Sequence, residues 1–540
     1  MKKNDIIELE ITDVTSEGSG IGRYDGMAVF VPLTAVGDVI SAKILKVKKN
    51  YAFAKCEGII SKSAHRINAD CEAFTRCGGC VFRHIDYKSE CDLKQNRVMQ
   101  TMNRIGKINF APMPIISASN PCRYRNKALY PISADGKIGF FSNHSHRVIP
   151  NFDCLLQPEI FNTAGNIFTD FIKKYGISVY DEQQHRGLVR HFYLRYGFVT
   201  HELMVGIVIN GSDLPHKDRL VESLKLSLGE NLKSVILNIN TKKTNVVLGD
   251  KNVLLYGREY IYDVLCGVKV RISPHSFYQV NHDMAERLYK KAAEYAEPQG
   301  KNILDLYCGA GTIGLSMANS AKSIIGVEVV EAAVRDAQIN ARENGIENAR
   351  FICGDAWDAA EKLKHENIAP DVVILDPPRK GCDEKLLKTV ACDFAPERIV
   401  YVSCDVATLA RDTAVLENYG YKLKEYTPVD LFPRTAHCET VVQLVRKKPD
   451  TYIDITIDMY ELDLTSSEAK ATYDEIKDYI FDTHRVKVSS LYIAQVKQKH
   501  GIIERDCYNN SKKESAKQPQ CPPEKVKLIE EALRHFKMIP

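Results

Sequence analysis

The chain has no apolar run long enough to cross a bilayer, no recognisable N-terminal signal segment and no internal repeat. A helical membrane protein, a disulfide-built secreted module and a solenoid are therefore not expected. Net charge is only +4, from 73 Lys and Arg against 69 Asp and Glu. A chain so nearly balanced is not a polycation along its length, and any basic surface must be local. The sixteen cysteines are therefore expected in a reducing cytoplasm, where thiols serve metals and catalysis. A length of 540 residues leaves room for three or four domains.

What the sequence does contain is a series of apolar segments, 303–306, 323–327, 350–353, 371–375, 398–402, 421–426 and 440–445. Amphipathic stretches such as 331–344 and 384–394 lie between most of them. This alternation predicts an α/β fold, a doubly wound, Rossmann-like parallel sheet. Such sheets bind ligands outside the carboxyl ends of their strands. The residues at those ends are Asp305-Leu-Tyr-Cys-Gly-Ala-Gly311, Asp376-Pro-Pro-Arg379, Val402-Ser-Cys404-Asp405 and His437-Cys-Glu439. Asp305, Asp376, Cys404 and Glu439 are thus expected to share one crevice.

Gly309-Ala-Gly311-Thr-Ile-Gly314 lets the backbone approach a nucleotide-like ligand, with Glu328 at the next strand end placed for a ribose hydroxyl pair. A dinucleotide turn and a purely structural glycine turn also fit the motif alone. Asp305 before the loop, and Gly354-Asp355 where an adenine amine would be met, favour S-adenosylmethionine. A dehydrogenase has no evident use for Cys404.

Asp376-Pro-Pro-Arg379 resembles the acidic-Pro-Pro signature of methyltransferases that act on bases. Its fourth position is usually aromatic when the target is an amine; Arg379 argues for a carbon target. The bland reading is an edge strand ended by two prolines with a capping aspartate. Carbon 5 of uracil is a poor nucleophile until a thiolate adds to carbon 6, which splits one hard step into easier ones. Cys404 suits that addition and Glu439 the later removal of the carbon 5 proton. Cys308, Cys353, Cys382 and Cys438 read as packing residues.

Together these motifs resemble the RNA (uracil-5-)-methyltransferase family, in particular its 23S ribosomal RNA branch, from about Met1 to Lys448. The resemblance implies methyl transfer from S-adenosylmethionine to carbon 5 of a uridine in 23S rRNA. It makes Cys404 the nucleophile and Glu439 the general base. It makes Gln279, in Ser273-Pro-His-Ser-Phe-Tyr-Gln279, together with Tyr307, Glu328 and Asp376, the methyl-donor contacts. His275-Ser276 and Thr312 depart from the family's usual wording without touching the catalytic pair. The same reaction on tRNA is the alternative within the class. From another class, a non-catalytic iron-sulfur RNA-binding protein leaves Cys404, Glu439 and the donor site unexplained.

Cys71-Glu-Ala-Phe-Thr-Arg-Cys77-Gly-Gly-Cys80 is dense enough in thiols to bind metal, yet holds one C-x-x-C and so no standard zinc ribbon. Cys91 as fourth ligand favours local zinc, whereas Cys154 favours a cluster that staples two segments. The resemblance places a [4Fe-4S] cluster on Cys71, Cys77, Cys80 and Cys154, with zinc or free thiols as alternatives. Methyl transfer changes no oxidation state at the base, so such a cluster is expected to be structural or RNA-positioning.

Four segments follow. Residues 1–60 alternate apolar and polar with glycine turns, predicting a five-stranded, OB-like barrel that resembles a TRAM domain, with Lys43, Lys46, Lys48 and Lys49 set to follow a phosphate backbone. Residues 61–270 hold the cysteines and a central α+β domain. There Arg123-Tyr-Arg-Asn-Lys127 and His185-Arg-Gly-Leu-Val-Arg190-His191, beside Tyr124 and Phe192, suit looped RNA. Residues 271–448 form the methyltransferase domain. Residues 449–540 are a small helical extension, with helices at 467–482 and 490–500 and a third from Pro522-Pro523 to near Lys537; the polar 509–523 reads as a loop. Tyr492, Gln495, Lys497 and Lys499 mark a candidate nucleic-acid face of its second helix. A monomer without membrane attachment is expected.

Overall fold

A computed structural model describes residues 1–143, 145–151, 153–447, 471–502 and 520–539. It divides into two compact units, Met1–Asp450 and Thr451–Pro540.

The first unit ends in a seven-stranded sheet. Its strands are β1 (Asn302–Leu306), β2 (Ser323–Glu328), β3 (Ala349–Cys353), β4 (Val372–Leu375), β5 (Arg398–Ser403), β6 (Tyr421–Val429) and β7 (Glu439–Arg446). Their spatial order is β3-β2-β1-β4-β5-β7-β6. Successive residues on a strand face opposite sides. Thus Ile303, Val372, Ile374 and Val400 enter one core and Leu304, Val373, Leu375 and Tyr401 the other. Val372, Val373, Ile374 and Leu375 are each 0% exposed, as a central parallel strand covered on both faces must be.

The sheet is not the wholly parallel one that strand–helix alternation predicts. β1 to β5 pair in parallel, but β7 runs antiparallel to both β5 and β6. The 430–438 connection is too short for a crossover helix, so the chain turns back as a hairpin.

The N-terminal segment is a sheet of five principal strands, Ile6–Glu10, Gly20–Tyr24, Met27–Val31, Val39–Val47 and Tyr51–Ser61, with a two-residue strand at Asp13–Val14. It closes on Leu9, Ile11, Val29, Ile40 and Ile44. A Cβ on Gly22 would lie 2.4 Å from the Glu10 carbonyl, so only glycine allows the two strands this approach. On its outside Phe30, Tyr51 and Phe53 group with ring centroids 5.5 to 5.8 Å apart, close in sequence to exposed Lys46, Lys48 and Lys49.

A five-stranded central sheet, Lys127–Pro131 to Lys251–Gly257, is covered by helices Glu159–Tyr175 and Lys217–Leu228. Helix α1 (Tyr87–Gly106) sends Val98 and Met102 into the methyltransferase core instead. Three residues expected to offer themselves to RNA do not. Tyr124 and Phe192 are buried, and Arg190 is buried with Nη1 donating to the Asn240 and Lys242 carbonyls at 2.8 Å. That arginine braces the 240–244 turn.

The second unit contains helices Tyr473–His484, Ser490–Lys499 and Pro523–His535 around Ile476, Ile480, Ile493, Val496, Ile529 and Leu533. Thr472 and Glu475 form a reciprocal capping box, which starts the first helix later than the expected 467; residues 467–470 lie outside the described residues, as does most of the 509–523 loop. The proposed reading face is mostly turned inward. Lys497 is 5% exposed with Nζ 4.4 Å from the Tyr473 ring centre. Gln495 Oε1 accepts from the Cys521 amide at 2.9 Å, Tyr492 packs against the core, and only Lys499 remains exposed. A helix with apolar residues this close to its polar ones buries both when two neighbours flank it. Among the described residues no helix is long and apolar enough to cross a membrane.

Candidate active site

A cavity of about 1130 Å³ lies at the carboxyl ends of the sheet, and Gln279, Tyr307, Glu328, Asp376, Cys404 and Glu439 all line it. The six residues singled out in the sequence are therefore brought together.

Strand β1 ends at Leu306 and the chain turns through left-handed Tyr307, Gly309 and Gly311, with φ of 66°, 55° and 77°. A Cβ on Gly311 would lie 2.8 Å from the Phe351 ring, so this turn needs glycine on two counts. Asp305 is 0% exposed, and its Oδ2 accepts from the Gly314 amide at 3.0 Å. Its Oδ1 is buried without a partner among the described residues. Burial pushes this carboxyl up to about 7. Glu328 Oε2 accepts from the Gly309 amide at 3.1 Å and Oε1 from Val330 at 2.8 Å, locking the glycine loop to the end of β2. Asp355 caps helix Ala356–His365 through the Trp357 and Asp358 amides.

Across the cavity Asp376 follows β4, Cys404 follows β5, and Glu439 opens β7. Burial pushes Asp376 up to about 7. It pushes the Cys404 thiol up to about 11, reinforced by Glu439 and Asp376 and opposed by Arg379. Glu439 is 5% exposed; burial and then Asp376 raise it to about 8, again against Arg379. Arg379, weighed in the sequence only as a missing aromatic, is thus the cation that favours the ionised form of both groups. His437 also lines the cavity. Burial, followed by Arg379 and more distant cations, favours its neutral form.

The loop carrying His437 is fixed from below, by residues that sequence reasoning missed. Lys94 Nζ, on α1, donates to Asp430 Oδ1 and Glu90 Oε1 at 2.7 Å each and to the Phe432 carbonyl at 3.2 Å. The Arg434 amide donates to Glu90 Oε1 at 2.7 Å. The available signal was a Glu–Lys pair four apart on the apolar face of a helix. Among the cysteines read as packing, Cys308, Cys382 and Cys438 are buried; Cys353, at the end of edge strand β3, is exposed.

Residues 87–447 match the family described as tRNA (uracil-5-)-methyltransferase, and residues 2–56 match the TRAM domain. The chain belongs to the tRNA (uracil-5-)-methyltransferase family. Its sequence is 43% identical over 452 residues to an uncharacterized RNA methyltransferase of Halalkalibacterium halodurans, spanning 83% of this chain and 98% of that one. It is likewise 43% identical over 443 residues to one from Caldanaerobacter subterraneus subsp. tengcongensis, spanning 81% and 98%. The structure resembles the Pyrococcus abyssi tRNA (uracil-54, C5)-methyltransferase bound to S-adenosyl-L-homocysteine, with a TM-score of 0.67 and 27% identity over 81% of this chain and all of that one. The protein is accordingly an S-adenosylmethionine-dependent RNA methyltransferase.

The enzyme has a second cavity, lined by Cys71, Cys77, Cys80 and Cys154 together with Arg83 and Arg125. Cys91 is not among its walls; it sits buried on α1 near Asp430. Arg83 Nη1 donates to Asp70 Oδ1 at 2.5 Å, while its Nε and Nη2 are buried without hydrogen-bond partners among the described residues. Orphaned guanidinium donors beside four thiols suit an anionic, thiolate-held group. Among the described residues no three ligand-type side chains close on a single ion.

Proposed function

We propose that the enzyme methylates carbon 5 of a uridine in 23S rRNA, with Cys404 as nucleophile and Glu439 as general base. The observation that carries the reading is that both line one cavity with Gln279, Tyr307, Glu328 and Asp376, which we assign as the donor contacts. Bound S-adenosylmethionine supplies an electrophilic methyl group. Cys404 Sγ bonds to carbon 6 of the uracil as the thiol loses its proton to solvent, and the ring electrons move onto the carbon 4 oxygen. Carbon 5 then takes the methyl group as the methyl–sulfonium bond breaks, and S-adenosyl-L-homocysteine leaves with that electron pair. Glu439 accepts the carbon 5 proton, the carbon 6–sulfur bond breaks, and the thiolate is restored.

Cys404 rests as a thiol at neutral pH, so its ionisation has to be assisted as it attacks. Arg379 acts in that direction on Cys404 and Glu439 alike. Reaching a uracil inside folded RNA requires extruding it, at a cost of a few kcal/mol. The aromatic group Phe30, Tyr51 and Phe53 and the lysines near it supply stacking and charge on the barrel.

We assign a [4Fe-4S] cluster to Cys71, Cys77, Cys80 and Cys154. Cys154 rather than Cys91 walls the second cavity with Cys71, Cys77 and Cys80, and the Arg83 and Arg125 cations beside them suit an anionic, thiolate-held group. The barrel and the four cysteines favour the ribosomal substrate. The Pyrococcus abyssi relative, named for uracil 54 of tRNA, favours a second reading, the same chemistry on tRNA. Position-mapped nucleoside mass spectrometry of both RNAs from cells with and without the gene decides. Loss of 5-methyluridine from 23S RNA alone supports the first reading and loss from tRNA the second; loss from neither sinks both.

A further inference from the structure

The two cavities share one wall residue, Arg125. It belongs to a short strap, 123–126, in which each side chain reaches a different part of the machinery. Arg123 Nη1 donates to the Cys154 carbonyl at 3.1 Å and to the Gln157 carbonyl at 3.2 Å. Tyr124 Oη donates to the Pro433 carbonyl at 2.9 Å, in the loop that leads to His437 and Glu439. Asn126 Nδ2 donates to the Gln279 carbonyl at 2.8 Å. The backbone repeats the pattern: the Arg123 and Arg125 amides donate to Leu155 and Leu156, and the Asn126 amide to Val280. On the far side of the cysteines, the Val81 amide donates to the Arg434 carbonyl at 2.7 Å.

Arg123 holds this course at a φ of 58°, a left-handed conformation that a non-glycine residue adopts only at an energetic cost. Such strain persists only where the surroundings over-determine it.

The Arg125 guanidinium is under-used. Among the described residues its one hydrogen bond runs from Nε to Tyr124 Oη at 3.5 Å, and no carboxylate pairs with it. Its charge acts on Cys77, Cys80 and Cys154 on one side and on His437 on the other. A cation with most of its donors free, half-buried at the wall of a cleft that admits a nucleotide, is built to meet an acceptor oxygen.

We infer that Arg125 is a substrate-binding residue that donates to an oxygen of the target nucleotide, and that the 123–126 strap makes the filled cysteine cavity a condition for its placement. The inference rests on the methyltransferase reading. It turns the cysteine site from a remote staple into a support of the active site without giving it any redox step.

The probe is an RNA stem-loop carrying the uridine mapped in cells, tested with the parent, Arg125→Lys and Arg125→Gln. Arg125→Gln is expected to raise the Kd and KM for this RNA roughly 10- to 100-fold, the loss of one or two charge-assisted hydrogen bonds. Affinity for S-adenosyl-L-homocysteine and the metal content are expected to stay at the parent's level, and Arg125→Lys to recover part of the loss. If the oxygen belongs to the base, an abasic target removes the difference between parent and Arg125→Gln. If it belongs to a phosphate, the difference survives the abasic change and disappears with a neutral methylphosphonate beside the target. Stripping the metal is expected to weaken RNA binding by the parent and to add little to Arg125→Gln.

Equal RNA affinity and KM in parent and Arg125→Gln overturns the inference, as does joint loss of metal and donor binding in that variant. Additive effects of metal removal and substitution overturn the coupling. Failure of the parent itself to methylate the RNA would sink the methyltransferase reading, which is a different result.

Discussion

Lys94→Met tests how the catalytic loop is held. The change nearly keeps the length of a side chain that is 1% exposed and removes the cation shared by Glu90 and Asp430, both 0% exposed. A buried ion pair is a weak source of stability compared with a well-packed apolar pair, but deleting one partner strands a charge and costs about 3–5 kcal/mol. Glu90 keeps a long contact to Arg434 Nη1 at 3.4 Å and Asp430 keeps the Tyr87 hydroxyl at 2.8 Å, so the lower half of that range is expected. For a cooperative unit of ~200 residues this corresponds to a fall in Tm of about 7–12 °C over the full range.

The pH dependence has a definite sign. Burial already holds Glu90 above its ordinary 4.5, against the pull of Lys94, and losing Lys94 raises it further. A carboxyl whose folded pKa lies above the unfolded one contributes stability below the unfolded value and loses it as pH rises through the folded value. The deficit of the variant should therefore be smallest below pH 4.5 and widen toward neutrality. Thermal melts and kcat measured from pH 5 to 8, on the parent, Lys94→Met and the double variant with Glu90→Gln, supply the assay. The double variant should recover part of the loss. A Tm change under about 2 °C at neutral pH, or a deficit that does not shrink on acidification, refutes the reasoning.

Four further outcomes are expected. Cys404→Ala should abolish methylation, by at least roughly 10³-fold as expected for a covalent nucleophile, while RNA binding measured by gel shift is retained; residual turnover near the parent's would remove Cys404 from the mechanism. Glu439→Gln should trap the RNA on Cys404, seen as a denaturation-stable adduct, because the carbon 5 proton has no acceptor. In the parent, kcat/KM should rise between pH 6 and 9 as Asp376, near 7, and Glu439, near 8, ionise, and a flat profile would speak against carboxylate participation. Cys154→Ser should remove the brown colour and the iron of anaerobically purified protein while Cys91→Ser keeps both; the reverse result, or colourless zinc protein, would overturn the cluster assignment.

What could be read from one sequence was decided by distance along the chain. The strands of the catalytic sheet were legible because segments such as 372–375 are buried on both faces and stop at polar residues. The site was legible because parallel strands deliver their carboxyl ends to one edge, so Asp376, Cys404 and Gly309 needed no knowledge of their neighbours. The reversal of β7 was a matter of a short connection that apolar patterning does not register. The inward turn of Lys497 depended on two flanking helices, and the burial of Arg190 on carbonyls of the 240–244 turn. Lys94 and Asp430 meet across 336 residues, and nothing local in either segment announces the other. Arg125 belongs with this second kind. In sequence it is one arginine in a basic run, and only the fold shows that the run is a strap between a cysteine cavity and the end of a sheet. A residue that acts where its own strand ends can be proposed from its motif, whereas one that acts through distant partners can be proposed only from the surfaces those partners leave open.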